Sequence, residues 1–426
     1  MMTNTYLPHV GGVARSVHTF AEDYRKAGHE ALVVAPTFPD LESVDPEIEK
    51  NVVRVPAVQK FNGSDFSVRL PLLSMLHPRV LGFEADVFHS HHPFLLGDTA
   101  LRLGADNGVP VVFTHHTLYE EYVHYVPFPS KRMESFVMEM STHYANLCDA
   151  VIAPSESIAK LIRGRGVEAP VTVIPTGIDV AAFAGGDGQR FRRAVGISAD
   201  SFVVGTVGRL AEEKNLDYLC RSVGAFLKDR PDAVFLVVGA GPSAGKMKRI
   251  FTEHGLGDRL VLAGKRSGSD LYDAYGAMDL FAFSSFSETQ GLVLAEAMAA
   301  GLPVVALDAS GVREVLRDGK NGFMLPAAAK EDEFAGALAK IAADEGVRAG
   351  LRKEARLTAD HFSRETCSAK ALALYEDLVR ESARERDDDW TEGWSGLLHR
   401  LRMEWELLSD RTESAFDAFW GPGGKR

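Results

Sequence analysis

Short β-branched runs alternate with segments of helical periodicity along most of the chain, the pattern of parallel strands joined by helices. Up to residue 180 it predicts strands at Ala31–Ala35, Val52–Val55, Val87–His91, Val109–Thr114, Val151–Ala153 and Val171–Ile174. It then restarts with Phe202–Val207, Val234–Val238, Leu260–Ala263, Leu280–Phe283 and Val304–Ala306. Helix-like stretches at Leu216–Lys228, Lys246–His254, Leu271–Ala277 and Leu292–Ala300 separate these strands. Such crossovers are right-handed and build open sheets covered on both faces. The expected fold class is therefore α/β, with two Rossmann-like domains facing each other across a cleft.

The boundary falls in the Pro175–Gly196 region, where Gly185, Gly186 and Gly188 crowd together. This divides the chain into domains at 1–180 and 181–366, followed by C-terminal helices at 367–426 expected to pack back on the first domain. At the start, only Met1–Tyr6 precedes the loop containing Gly11 and Gly12, and it has almost no β-branched run. The expectation is a start codon set a few residues late. A sheet lacking its full first strand is the other reading. At the far end, Trp390, Trp394, Leu397, Leu398, Leu401, Trp405 and Leu408 recur on one face of a helix. That face packs on the body or a second subunit, or it lies at a membrane surface. The mixed charges of Arg400, Arg402, Glu404 and Glu406 speak against the last.

Composition narrows the field. The 426 residues are about twice a usual domain, and 46% are hydrophobic, so two cores can form without disulfides or metal. Cys148, Cys220 and Cys367 are too scattered for a disulfide framework or zinc cluster, which suggests a reducing cytosol. The net charge of −12 excludes a nucleic-acid binder that works by neutralising phosphates. The longest apolar stretch, Leu292–Ala309, is broken by Glu296 and Pro303, so no spanning helix is expected. Eleven of the 14 histidines lie in the first 180 residues, so the two halves do different jobs.

The segment SSFSETQGLVLAEAMAAG (Ser284–Gly301) follows a strand and opens a helix near Gln290. The amides of Gly291, Leu292 and Val293 would lie at the positive end of that helix, where a phosphate can bind. Glu288 and Glu296, eight residues apart on a helical rise, are about 12 Å from each other. That is too far for a retaining-glycosidase pair but suits two carboxylates bracketing a diphosphate. An ordinary βα unit with two solvated glutamates is the plain alternative. Gly208, Arg209 and Lys214 follow another strand, where open sheets bind ligands. The arginine can fork phosphate oxygens and the lysine can act as a point charge. Beside Glu212 and Glu213 they could also be surface salt bridges. Gly239–Lys246 imitates a phosphate-binding P-loop but has Ala240 and Met247 at required positions, so it reads as a glycine turn near a nucleotide base.

In the first half, Gly11 and Gly12 open a helix that offers amides to an anion. His89, His91 and His92 end one strand, and His115 and His116 end the next. A structural, hydrogen-bonded role is the simpler reading for the first three. His116, Glu120 and His124 share one helical spacing but lack a tight HExxH pair, so no metal is expected.

Together these residues resemble the family-4 retaining glycosyltransferases of GT-B fold, over roughly residues 3–380. The marks are Glu288 and Glu296, the loop with Arg209 and Lys214, Pro175-Thr-Gly-Ile-Asp179, and Gly11–Gly12. The segments HTLYEEYVHY (His116–Tyr125) and SETQGL (Ser287–Leu292) further resemble the branch that glycosylates diacylglycerol-type membrane lipids. The resemblance implies hexosyl transfer from an NDP-sugar, UDP-sugar foremost, to an acceptor hydroxyl with retained configuration. It implies no cofactor and no metal. The donor would lie mainly on the C-terminal domain, with Arg209 and Lys214 neutralising the diphosphate, Glu288 holding sugar hydroxyls and Glu296 the ribose. His116 would act beside the reacting centre, with His92, His115 and Tyr119 on the acceptor side. A membrane lipid as partner implies peripheral contact with the cytoplasmic membrane. A GT-B sugar-nucleotide epimerase would use the same site without an acceptor, and a non-catalytic sugar-nucleotide binder would have no need of the full charged set.

Overall fold

The computed structural model describes residues 1–9, 11–38, 41, 44–56, 77–116, 131–286, 288 and 290–388. The chain separates into two compact units, one of Met1–Pro175 with the described residues from Ser368 onward, the other of Thr176–Cys367. Gly185, Gly186 and Gly188 lie inside the second unit, where Gly185 and Gly186 follow the helix Val180–Ala184 and Gly188 opens the helix Gly188–Val195.

Unit 1 carries strands β1 (Val33–Pro36), β2 (Val52–Val55), β3 (Phe88–Ser90), β4 (Val111–Thr114), β5 (Ala150–Ala153) and β6 (Val171–Val173). The last four form a parallel sheet in the order β3-β4-β5-β6, and β1 pairs with β2, also in parallel. Met2 bridges to both Val34 and Ser90. Its amide donates to His89 O at 2.7 Å and its carbonyl accepts from His91 N at 2.9 Å. The expectation of a missing or incomplete first strand is thus refined: Met1–Thr3 occupy the strand position between β1 and β3. Ladder bonds on both sides hold this segment, so it needs little β propensity of its own.

The helix Gly12–Lys26 buries Ala14, Val17, Ala21 and Tyr24, one face of an amphipathic helix, and ends in Arg25 and Lys26, which complement its dipole. The strands bury Val34, Val53, Phe88, Val111, Phe113 and Val151 in one core. The helix Arg364–Asp388 passes from unit 2 into unit 1, where Tyr375 bonds Tyr24 and His89.

Unit 2 carries β7 (Phe202–Val207), β8 (Ala233–Val238), β9 (Leu260–Gly264), β10 (Leu280–Phe283), β11 (Val304–Leu307) and β12 (Gly322–Leu325). All pair in parallel, in the order β12-β11-β10-β7-β8-β9. β10 and β11 are buried along their whole length, which is why they read as unbroken apolar runs. The pattern missed β12, an edge strand with no β-branched residue, fixed by its pairing with β11. Both units are Rossmann-like. Among the described residues, no helix is long and apolar enough to cross a membrane.

Candidate functional site

The strand order of unit 2 reverses at β7. β8 lies on one side and β10 on the other, so the chain leaves the two central strands in opposite directions. That divergence opens a crevice at the carboxyl ends of β7 and β10, the place where open α/β sheets hold ligands. Arg209 and Lys214 follow β7, and Glu288 and Gly291 follow β10. The two loops are fastened together. Ser284 Oγ donates to Lys214 O at 3.0 Å and to Asn215 O at 3.1 Å, and Ser285 Oγ donates to Glu213 O at 3.4 Å.

Lys214 Nζ lies 3.8 Å from Glu288 Oε2, with the two side chains 23% and 17% exposed. Glu288 Oε1 accepts the Gly291 amide at 3.2 Å. Gly291 caps the helix Leu292–Ala299 at φ +72°, and a Cβ there would stand 2.5 Å from Gly311 O, so only glycine fits. The helix therefore begins two residues after the predicted Gln290. Leu292 and Val293 supply the next amides, for which the helix has no acceptor of its own. Arg209 pairs with Glu213 on the exposed surface, side chain 67% accessible. An exposed pair of this kind contributes only about 0.2–1 kcal/mol, so it holds the arginine weakly.

Glu296 departs from the solvated-glutamate alternative. It is 2% exposed, and Tyr275 donates to its Oε2 at 2.8 Å. Tyr275 went unnoticed in the sequence, and Gln290 was read only as the start of the helix; its Oε1 accepts from the Thr176 amide at 3.2 Å. Neither contact has a motif signal, because each spans a long stretch of chain. The turn after β8 lies against the loop after β7. Gly208 N donates to Val238 O and Leu210 N to Ala240 O, both at 3.0 Å, and a Cβ on Gly239 would meet Gly208 O at 1.8 Å. Beside these loops lies a cavity of about 810 Å³ lined by Glu212, Asp217, Ser243, Lys246 and Arg249, with Lys246 paired to Asp217.

In unit 1, Gly11 caps the first helix in extended conformation, and nothing lies within 4 Å of a Cβ built on Gly12. The histidines sit at the carboxyl ends of neighbouring β3 and β4. His92 is buried and its Nδ1 accepts the Asn4 amide at 3.1 Å. His115 is buried with Nε2 3.3 Å from Ser141 Oγ. His116 is partly exposed, and its Nε2 lies 2.9 Å from His91 Nδ1. Burial pushes His92 and His116 down to about 3, and His89 and His91 well below their ordinary value. Tyr119, Glu120, His124 and the tail from Trp390 lie outside the described residues. A second cavity, of about 730 Å³, is lined by Met1, Tyr24, Leu32, Phe83, His89 and Tyr375.

Residues 187–358 match the family described as glycosyl transferases group 1, and residues 10–182 match glycosyltransferase family 4. The chain is 27% identical over 391 residues to an alpha-monoglucosyldiacylglycerol synthase of Acholeplasma laidlawii, covering 89% of this chain and 96% of that protein. It is 31% identical over 344 residues to a GDP-mannose-dependent alpha-mannosyltransferase of Mycobacterium tuberculosis, covering 80% and 87%. The Anabaena HepE protein, solved in complex with UDP, shares the fold with a TM-score of 0.69 at 22% identity, over 88% and 98% of the two chains.

Proposed function

This chain belongs to the group 1 and family 4 glycosyltransferases of GT-B architecture, and from that premise we propose its donor, acceptor and residue roles. It moves a hexosyl group from a UDP-sugar to the hydroxyl of a diacylglycerol-type lipid, with retention of configuration and without metal. The observation that carries the donor side is the crevice at the ends of β7 and β10, where Lys214, Glu288 and the Gly291 amide converge.

Negative charge grows on the diphosphate as the sugar departs, and preorganised cations and amides stabilise it most where it develops. Arg209 and Lys214 meet that charge with Gly208 alongside, and the Gly291, Leu292 and Val293 amides add the helix terminus. Glu288, released from capping the helix, takes sugar hydroxyls. Glu296, held by Tyr275, serves the ribose. Gly11 and Gly12 approach the phosphate or the acceptor. His92, His115 and Tyr119 serve the acceptor side, and His116 the transfer step. The lipid acceptor is favoured by the diacylglycerol-glucosylating relative, which aligns over 89% of the chain. Peripheral contact with a membrane follows from that acceptor.

Thermal unfolding with UDP, GDP, ADP and their sugar conjugates, each with and without chelator, tests the donor side. A ligand that binds only the folded state raises the melting temperature. A shift for UDP and UDP-sugars, unchanged by chelator, is the expected result. A shift confined to GDP-mannose would overturn the donor, and one abolished by chelator would overturn metal independence. Conversion of the sugar nucleotide when supplied alone would favour an epimerase.

A further inference from the structure

The parallel pairing of β3 with β4 sets Phe88 beside Val111 and Ser90 beside Phe113. In that register His89 faces Val112. Residues two apart in a strand point to the same face, so Thr114 and His116 are the same-face diagonal neighbours of His89 and His91, two successive diagonal rungs. The contacts follow that ladder. His89 Nε2 lies 2.6 Å from Thr114 Oγ1, and His91 Nδ1 lies 2.9 Å from His116 Nε2, both pairs 25 residues apart. The lower rung is locked at its far end, because Tyr375 OH lies 2.6 Å from His89 Nδ1 and 3.1 Å from Tyr24 OH. Both nitrogens of His89 are thus engaged, and its ring centroid is 4.0 Å from that of His91. His91 is fully buried, and its Nε2 has no hydrogen-bond partner among the described residues.

We propose that His91 is a positioning residue that holds the His116 ring in one tautomer and one orientation for transfer. This rests on the reading that His116 serves the transfer step. An orphaned buried N–H costs more than an orphaned lone pair. His91 therefore carries its proton on Nδ1 and donates it to His116 Nε2, leaving its own Nε2 bare. His116, accepting at Nε2, keeps its proton on Nδ1 and can offer that N–H to an oxygen of the substrate. Tyr375 and Thr114 hold His89, and His89 holds the His91 ring, so the helix Arg364–Asp388 takes part in fixing the geometry.

Nitrogen-15 spectra of histidine-labelled protein at neutral pH read the tautomer directly and need no substrate. The wild type should show His116 protonated on Nδ1, and His91→Leu should shift it toward the Nε2 form that imidazole favours in water. His116 protonated on Nε2 in the wild type would overturn the inference. Turnover of UDP-glucose with diacylglycerol vesicles supplies the second readout. His91→Leu should lower kcat at least tenfold with donor KM within about twofold, and His91→Asn, whose amide reaches the Nδ1 position, should restore most of it. Equal loss in His91→Asn and His91→Gln, tracking the melting temperature, would mean packing alone and overturn the proposal. Should His91→Leu not fold, an active Asn variant beside an inactive Gln variant upholds it. Wild-type kcat in His116→Ala would refute the reading on which the inference rests. A defective His116→Ala beside a normal His91→Leu would sink the inference alone.

Discussion

Glu288 divides its carboxylate between the Gly291 amide and Lys214, so one side chain touches both loops of the crevice proposed to hold the donor. On the proposed reading, Lys214→Ala removes a cation from where leaving-group charge develops. It should lower kcat on the order of 10²–10³-fold, with melting temperature nearly unchanged, as steady-state kinetics beside thermal unfolding will show. Tyr275→Phe acts differently. It withdraws a hydroxyl from the buried Glu296 carboxylate and should cost about 1–3 kcal/mol of stability in denaturant titration.

The histidines of unit 1 make stability depend on pH. His92 and His116 titrate near 3 when folded and near 6.5 when unfolded, so below 6.5 the unfolded chain binds more protons. Their contribution is complete above about pH 6.5 and is lost as pH falls toward about 3. Urea titrations across that window should show a steady decline, which His92→Gln makes shallower. The motif residues were legible because type and spacing carry their chemistry. The contacts of Tyr275, Gln290 and Tyr375 were not, since these residues meet Glu296, Thr176 and His89 only after folding, 21, 114 and 286 residues away in the chain.

Elements whose stability is local could be read, and those that borrow it could not. β7 and β10 have the predicted bounds because their apolar runs end at Gly208 and Ser284. β12 and the Met1–Thr3 segment borrow their conformation from neighbours, so their sequences announce nothing. Glycines at helix starts also separate by environment. Gly291→Ala must accept φ +72° and a clash with Gly311 O, and should cost about 1–3 kcal/mol. Gly12→Ala meets open space and should leave stability within about 0.5 kcal/mol. If that loop receives substrate, the same variant still loses turnover, a split that unfolding and kinetics together would reveal.

At the scale of the molecule, alternating strands and helices told of two α/β units but not of strand order. The order is decided by which sheet edge each crossover joins, and no residue encodes that alone. Yet the order gives the charged loops their meaning, because β7 and β10 are neighbours only in the fold. Family membership over both units supports the proposed reading of the crevice as the donor site. The most direct test is transfer of labelled glucose from UDP-glucose to diacylglycerol in phospholipid vesicles, by wild type and by Glu288→Ala. The account predicts a glucosylated lipid from the wild type and at least about a hundredfold loss in the variant, with its melting temperature kept. An unmodified lipid pool with the wild type, or near-wild-type transfer by Glu288→Ala, would contradict it.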